Sequence, residues 1–146
     1  FYRFPGDDVI QTTVQKCREA FPAFRRLSAV PLPAKASWRV SRVLGKLKSV
    51  VQEFEDVQKR LFLEHGGVVV GNGISILEPV RNGQDDAQWE ETMKAHADNI
   101  ASLTIKMEEV NAESCSIDYD PIPIELFGEA TVAAADLADA GPFIGE

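Results

Sequence analysis

From Ala34 to about His65, the apolar residues Val40, Leu44, Leu47, Val51, Phe54 and Leu61 recur at spacings of 4, 3, 4, 3 and 7, with Val57 near the skipped position. Residues three and four apart share one face of an α-helix, so this periodicity predicts a long helix over 34–65 carrying a single apolar stripe. A stripe of that length requires a partner, and the second half of the chain supplies one. Trp89, Met93, His96, Ile100, Leu103, Met107 and Val110 repeat at 4, 3, 4, 3, 4 and 3, which predicts a second helix over 86–112. Two such stripes joined by a segment able to reverse direction imply an antiparallel helical hairpin with coiled-coil-like packing.

The punctuation between these helices fills in the rest. Pro31 and Pro33 set the backbone just before the first long helix, Gly45 weakens it by about 1 kcal/mol relative to alanine, and "HGG" at 65–67 stops it. In "VVVGNGISILEPV", two β-branched runs flank Gly71-Asn72-Gly73, which predicts a β-hairpin over 68–80. Asp7 and Asp8 offer a cap to a short helix over 8–21 with Ile10, Val14, Cys17 and Phe21 on one face, ending near Pro22. In "SCSIDYDPIPIELF", Cys115, Ile117 and Tyr119 alternate before Pro121, and Ile122, Ile124 and Leu126 after it, giving two short extended segments. Thr131 is placed to cap a last helix carrying Val132 and Leu137. The expected class is α+β and mainly helical: a long antiparallel helical hairpin with a β-hairpin insertion, then short C-terminal strands plus a helix over 114–144. At 146 residues, a single domain over 1–146 is the expectation.

The net charge of −8 is unevenly spread. Residues 25–60 hold nine basic side chains against three acids, a net of +6, whereas residues 82–146 hold fifteen acids against Lys94 and Lys106, a net of −13. The basic segment therefore has a complement within its own chain. No apolar run approaches the roughly 18 residues that cross a bilayer, so no membrane partner is expected. No signal peptide opens the chain, although Phe1 in place of methionine means a preceding segment would go unseen. Cys17 and Cys115 are the only cysteines and lie far apart, and both read as free thiols. His65 and His96 do not form a pair at ligand spacing, and neither a metal nor a cofactor is expected.

The candidate site is a second stripe on the first long helix. Lys35, Arg39, Arg42 and Lys46 recur at 4, 3 and 4 on a face distinct from the apolar one, and Trp38 stands beside them. Evenly spaced cations could meet phosphates or an acidic protein, but they could equally form a solvated face paired with the acidic half of the chain. Trp38 stays open between core and partner anchor, whereas Trp89, at helical spacing, reads as core. His96 lies on the apolar stripe without a nucleophile motif, so it reads as a histidine satisfied by a hydrogen bond rather than a general base. "GNGIS" lacks the Lys-Ser/Thr ending of a phosphate loop, and Asp118, Asp120 and Glu125 lack the ligand pattern of a calcium loop and read as solvated charge. No catalytic residue is assigned.

The stretch "LPAKASWRVSRVLGKLKSVVQEFEDVQKRLFLEHG" at 32–66, with "PIPIELF" at 121–127 and "ADLADAGPFI" at 135–144, resembles a family of small proteins encoded by tailed bacteriophages. In that family an "LPAK" lead-in opens a Lys-rich helix that ends in an acidic stretch and a glycine stop. An insertion, a second helix and a tail of the form P-I-x-L … ADL follow. This chain departs from the pattern in its "VVVGNGISILEPV" hairpin and its longer N-terminal segment. The resemblance implies a non-enzymatic interaction protein, a virion structural or assembly component that docks on other phage proteins or on further copies of itself, in the virion or the host cytoplasm. The alternative is a phage-encoded regulator that binds a host protein or nucleic acid. The net charge of −8 disfavours nucleic acid.

Overall fold

The computed structural model describes residues 10–145. It is mainly helical α+β, with a long helical hairpin, small two-stranded sheets and a short helix near the end of the chain. The described residues cluster into two compact units, one made of those up to Glu53 together with those from Asn111 onward, the other of Phe54–Val110.

The first unit opens with strand β1 (Ile10–Thr13), which runs directly into helix α1 (Val14–Ser28). This corrects the expected helix over 8–21 at both ends, and the Asp7–Asp8 cap lies outside the described residues. Ile10 is held in a strand by antiparallel pairing with β4 (Ser114–Ile117), in the register Ile10↔Ile117 and Thr12↔Cys115. The helix cap is Thr13, whose Oγ1 accepts from the Lys16 N–H at 3.3 Å. Pro22 does not end the helix. Its missing N–H costs about 3 kcal/mol in a helix interior. Beyond it, however, Ala23, Phe24 and Leu27 are all fully buried. Burial of the Phe and Leu side chains alone contributes about 1.5–3 kcal/mol each, so packing outweighs the broken ladder.

Helix α2 (Ala34–Glu64) begins where the Pro33 carbonyl accepts from the Ser37 N–H at 2.9 Å. Its inner face carries Ala36, Val40, Val43 and Leu47 into one core with Cys17, Ala20, Phe24 and Leu27 of α1. The first half of the α2 stripe is thus spent on α1 and on the closing segments of the chain. Those closing segments are β4, β5 (Ile122–Pro123), a 3-10 turn (Ile124–Phe127), α4 (Ala134–Asp139), a second 3-10 turn (Gly141–Phe143) and β6 (Ile144–Gly145), which pairs parallel to β5. They bury Ile117, Ile122, Phe127 and Phe143 in the same core. The Phe143 ring meets Phe24 edge-on, with centroids 5.9 Å apart. Two expectations are corrected here. The extended segment after Pro121 tightens into a 3-10 turn at Ile124, so that Ile124 is exposed and Phe127 is buried. The last helix is capped by Ala133 rather than Thr131, and Asp136 anchors it to α1 through Arg26 Nε at 2.5 Å.

The second unit contains the end of α2, strands β2 (Val68–Val70) and β3 (Gly73–Ser75), and helix α3 (Asp86–Asn111). Gly66 takes φ +83°, and the Gly67 N–H returns to the Phe62 carbonyl at 2.6 Å, which is how "HGG" stops the helix. The β-hairpin has the predicted turn. Gly71 takes φ +59° while Asn72 stays at negative φ, the sign pattern of a type II′ turn. Helix α3 matches its expected bounds, and Asp85 caps it by accepting from the Gln88 N–H at 2.8 Å. Its stripe is nevertheless largely uncovered: Leu103 alone is buried, Trp89, His96, Met107 and Val110 are half-buried, and Met93 and Ile100 are exposed. Trp89 is therefore not a core residue.

Candidate functional site

The four cations all lie on the outward side of α2, because spacings of 4, 3 and 4 keep them about a third of a turn away from Val40, Val43 and Leu47. The structure draws two of them into a site and leaves two outside. Arg39 and Arg42 line a cleft of about 200 Å³ whose floor is Val43 and Ile122 and whose opposite wall is Asp118, Tyr119 and Asp120. Lys35 and Lys46 are exposed on the same helix and do not line it.

Arg42 is the centre of this arrangement. Its guanidinium carbon lies 4.2 Å from the centroid of the Tyr119 ring and 5.8 Å from that of Trp38, one helical turn earlier on α2. Stacking of this kind is worth about 0.5–2 kcal/mol and leaves the edge of the guanidinium pointing out, where its N–H groups can meet a planar acceptor in a bidentate fork. Trp38 is 65% exposed, so it is not a core residue but the outer wall of the stack. Tyr119 arrives from the tight turn after β4, in which its N–H bonds the Ile117 carbonyl at 2.8 Å.

Cleft volume decides what can bind. Small-molecule and cofactor sites occupy about 300–1,000 Å³, and this one is smaller, so it suits a single side chain or terminal group of a larger partner. A broader groove of about 560 Å³ lies in the second unit, where Phe62 and Ile74 meet the exposed hairpin turn at Gly71 and Asn72, rimmed by Glu55 and Lys59.

Sequence reasoning placed Arg39, Arg42 and Trp38 on one face but missed the wall opposite. Asp118 and Asp120 read as solvated charge, and Tyr119 as one member of an alternating strand. The available signal was the acidic SIDYD segment in the half of the chain that complements the basic block.

His65 was also missed. It is buried, its Nδ1 lies 2.7 Å from the Leu61 carbonyl, and its Nε2 lies 3.1 Å from Lys106 Nζ and 3.2 Å from Ser102 Oγ. A carbonyl can only accept, so Nδ1 donates to Leu61 while Nε2 faces Ser102 and Lys106. It is a structural tie between the end of α2 and α3. His96, read as the satisfied histidine, is half-buried and has no side-chain hydrogen bond among the described residues. Among those residues, no group of three or more His, Cys, Asp or Glu side chains is placed to hold a metal ion, and no helix is long and apolar enough to cross a membrane. Comparison with protein-family models, curated proteins and solved structures gives no match to this chain.

Proposed function

We propose that this is a non-enzymatic interaction protein of a tailed bacteriophage, a virion or assembly component whose second unit docks on other phage proteins. One observation carries the docking role. Among the described residues of Phe54–Val110, only Phe54 and Leu103 are buried apolar side chains, while Leu63, Val68, Val69, Val70, Leu77, Val80, Met93, Ile100 and Ile105 are between 39% and 71% exposed. Isolated exposed apolar residues are ordinary, but this density in one unit is what partner surfaces carry. The phage assignment rests on the sequence resemblance at 32–66 and 121–144. Mass spectrometry of purified virions tests it: stoichiometric copies in particles support a virion component, and absence from particles refutes that role. Val69→Lys and Val80→Lys should leave the fold intact and abolish incorporation.

The Arg42 stack favours a second reading, a regulator that grips an acidic group on a host protein or nucleic acid. Replacing Lys35, Arg39, Arg42 and Lys46 by Gln should spare the helix, since Gln is close to Lys and Arg in helix propensity. Tight DNA binding that weakens steeply with salt and disappears in this variant would promote the second reading over the first.

A further inference from the structure

The two cysteines, 98 positions apart in the sequence, are neighbours in the fold. Side chains alternate across a strand, so Cys115 shares the inner face of the β1–β4 ladder with Ile117, Cys115 opposite Thr12 and Ile117 opposite Ile10. Ile10 and Ile117 are both buried, which identifies that face as the one turned to the core. Helix α1 leaves the same ladder, with the Val14 N–H bonded to the Glu113 carbonyl at 3.0 Å, and its first inward residue is Cys17. Cys17 is fully buried, and the half-buried Cys115 packs against the same cluster, its thiol close enough to help push that of Cys17 up. Next to them, Thr12 Oγ1 is buried without a hydrogen-bond partner.

We propose that Cys17 and Cys115 form a redox modification site that closes to an intramolecular disulfide by exchange with a low-molecular-weight disulfide. Cys115 is the more accessible thiol and reacts first. It loses its proton, its sulfur attacks one sulfur of the small disulfide, that S–S bond breaks, and the expelled thiolate takes up a proton. Cys17 then loses its proton and attacks the Cys115 sulfur of the mixed disulfide, expelling the second small thiolate. Two protein thiols are oxidised and one small disulfide is reduced to two small thiols. Burial, and after it the neighbouring Cys115, push the Cys17 thiol up to about 12, so the second step is the slow one.

The closed bond joins the two sequence segments of the first unit and encloses all of Phe54–Val110 in the loop. That unit can then be loaded or rearranged by a partner while the two segments stay covalently joined. This inference does not depend on the proposed docking role.

The test treats the full chain with oxidised glutathione, quenches with acid, and alkylates in denaturant before intact-mass measurement. The expected product is two hydrogens lighter than the reduced chain, carries no glutathione, has lost both alkylatable thiols together, and reverts with dithiothreitol. Its thermal midpoint should be higher than that of the reduced chain. In Cys17→Ala the reaction should stop with one glutathione on Cys115. A wild-type end product with glutathione on Cys115 and an alkylatable Cys17 overturns the proposal. So does a chain that keeps both thiols, or one that links between molecules instead.

Discussion

Phe143 sits in a tight turn late in the chain, yet it is fully buried, and its ring stands at 90° to that of Phe24 on α1. If this contact closes the core of the first unit, Phe143→Ala should be among the most costly single changes available. Truncating a buried Phe to Ala costs about 3–5 kcal/mol, of which the edge-on pair accounts for about 0.5–1.5. The total approaches the whole stability of a marginal domain, about 5–15 kcal/mol. Phe24→Ala should cost a similar amount, and the double variant should cost less than the sum by about 0.5–1.5 kcal/mol, because the pair can be lost only once. Urea unfolding followed by circular dichroism would give these values. Hydrogen exchange of the α1 amides, measured alongside, should assign the loss to the first unit. Val80→Ala, at a site 70% exposed, serves as the control and should stay within about 0.5 kcal/mol of the parent. A Phe143→Ala cost below about 1 kcal/mol, or strictly additive single variants, would refute the account of the closing segment as part of the core.

Three further outcomes follow from the same structure. Because the Cys17 thiol is raised from 9.0 to about 12 in the fold, its contribution to stability is complete below pH 9 and is lost as pH rises toward 12. Urea midpoints should therefore fall more steeply in that window than those of Cys17→Ala, by at most about 1.4 kcal/mol per pH unit. Gly67→Ala would place a Cβ 2.5 Å from the Phe62 carbonyl oxygen, so it should destabilise the helix stop by more than about 1 kcal/mol, seen as faster hydrogen exchange at the end of α2 and in the β-hairpin. Leu47→Asp should unfold the first unit at a cost of several kcal/mol, whereas Leu103→Asp should loosen the second unit and leave protection of the α1 and β4 amides unchanged; equal loss in both units after Leu103→Asp would count against their independence.

Local signals were legible in the sequence and long-range ones were not. Helices α2 and α3 fall within a residue or two of the bounds their stripes predicted, and the Gly71-Asn72 turn has the backbone its residues require. Periodicity shows which face of a helix is apolar but carries no information about what covers it. Hence Val40 and Leu47 found α1 and the closing segments, while Met93 and Ile100 remained exposed. The helix over 8–21 failed for a related reason. Pro22 is a strong local stop signal, and only the burial of Phe24 and Leu27 beyond it, a tertiary effect, reveals that the helix continues. Half of the candidate site was readable because Trp38, Arg39 and Arg42 share one helix. Tyr119 and the Cys17–Cys115 contact depend on a strand pairing across about a hundred residues, which no spacing rule encodes.

The interleaving of the two units in the sequence has a consequence for synthesis on the ribosome. Helix α1 and the first half of α2 emerge early, but the residues that cover Phe24, Leu27 and Val43 (Ile117, Ile122, Phe127 and Phe143) are added only after the whole of Phe54–Val110 has been translated. Chains emerge at about 5–20 residues per second, so these apolar faces stay uncovered for several seconds in every nascent molecule. The early part of the chain thus spends its first seconds as a substrate for chaperones, and a messenger truncated anywhere before the Phe143 codon would release a protein with an open core.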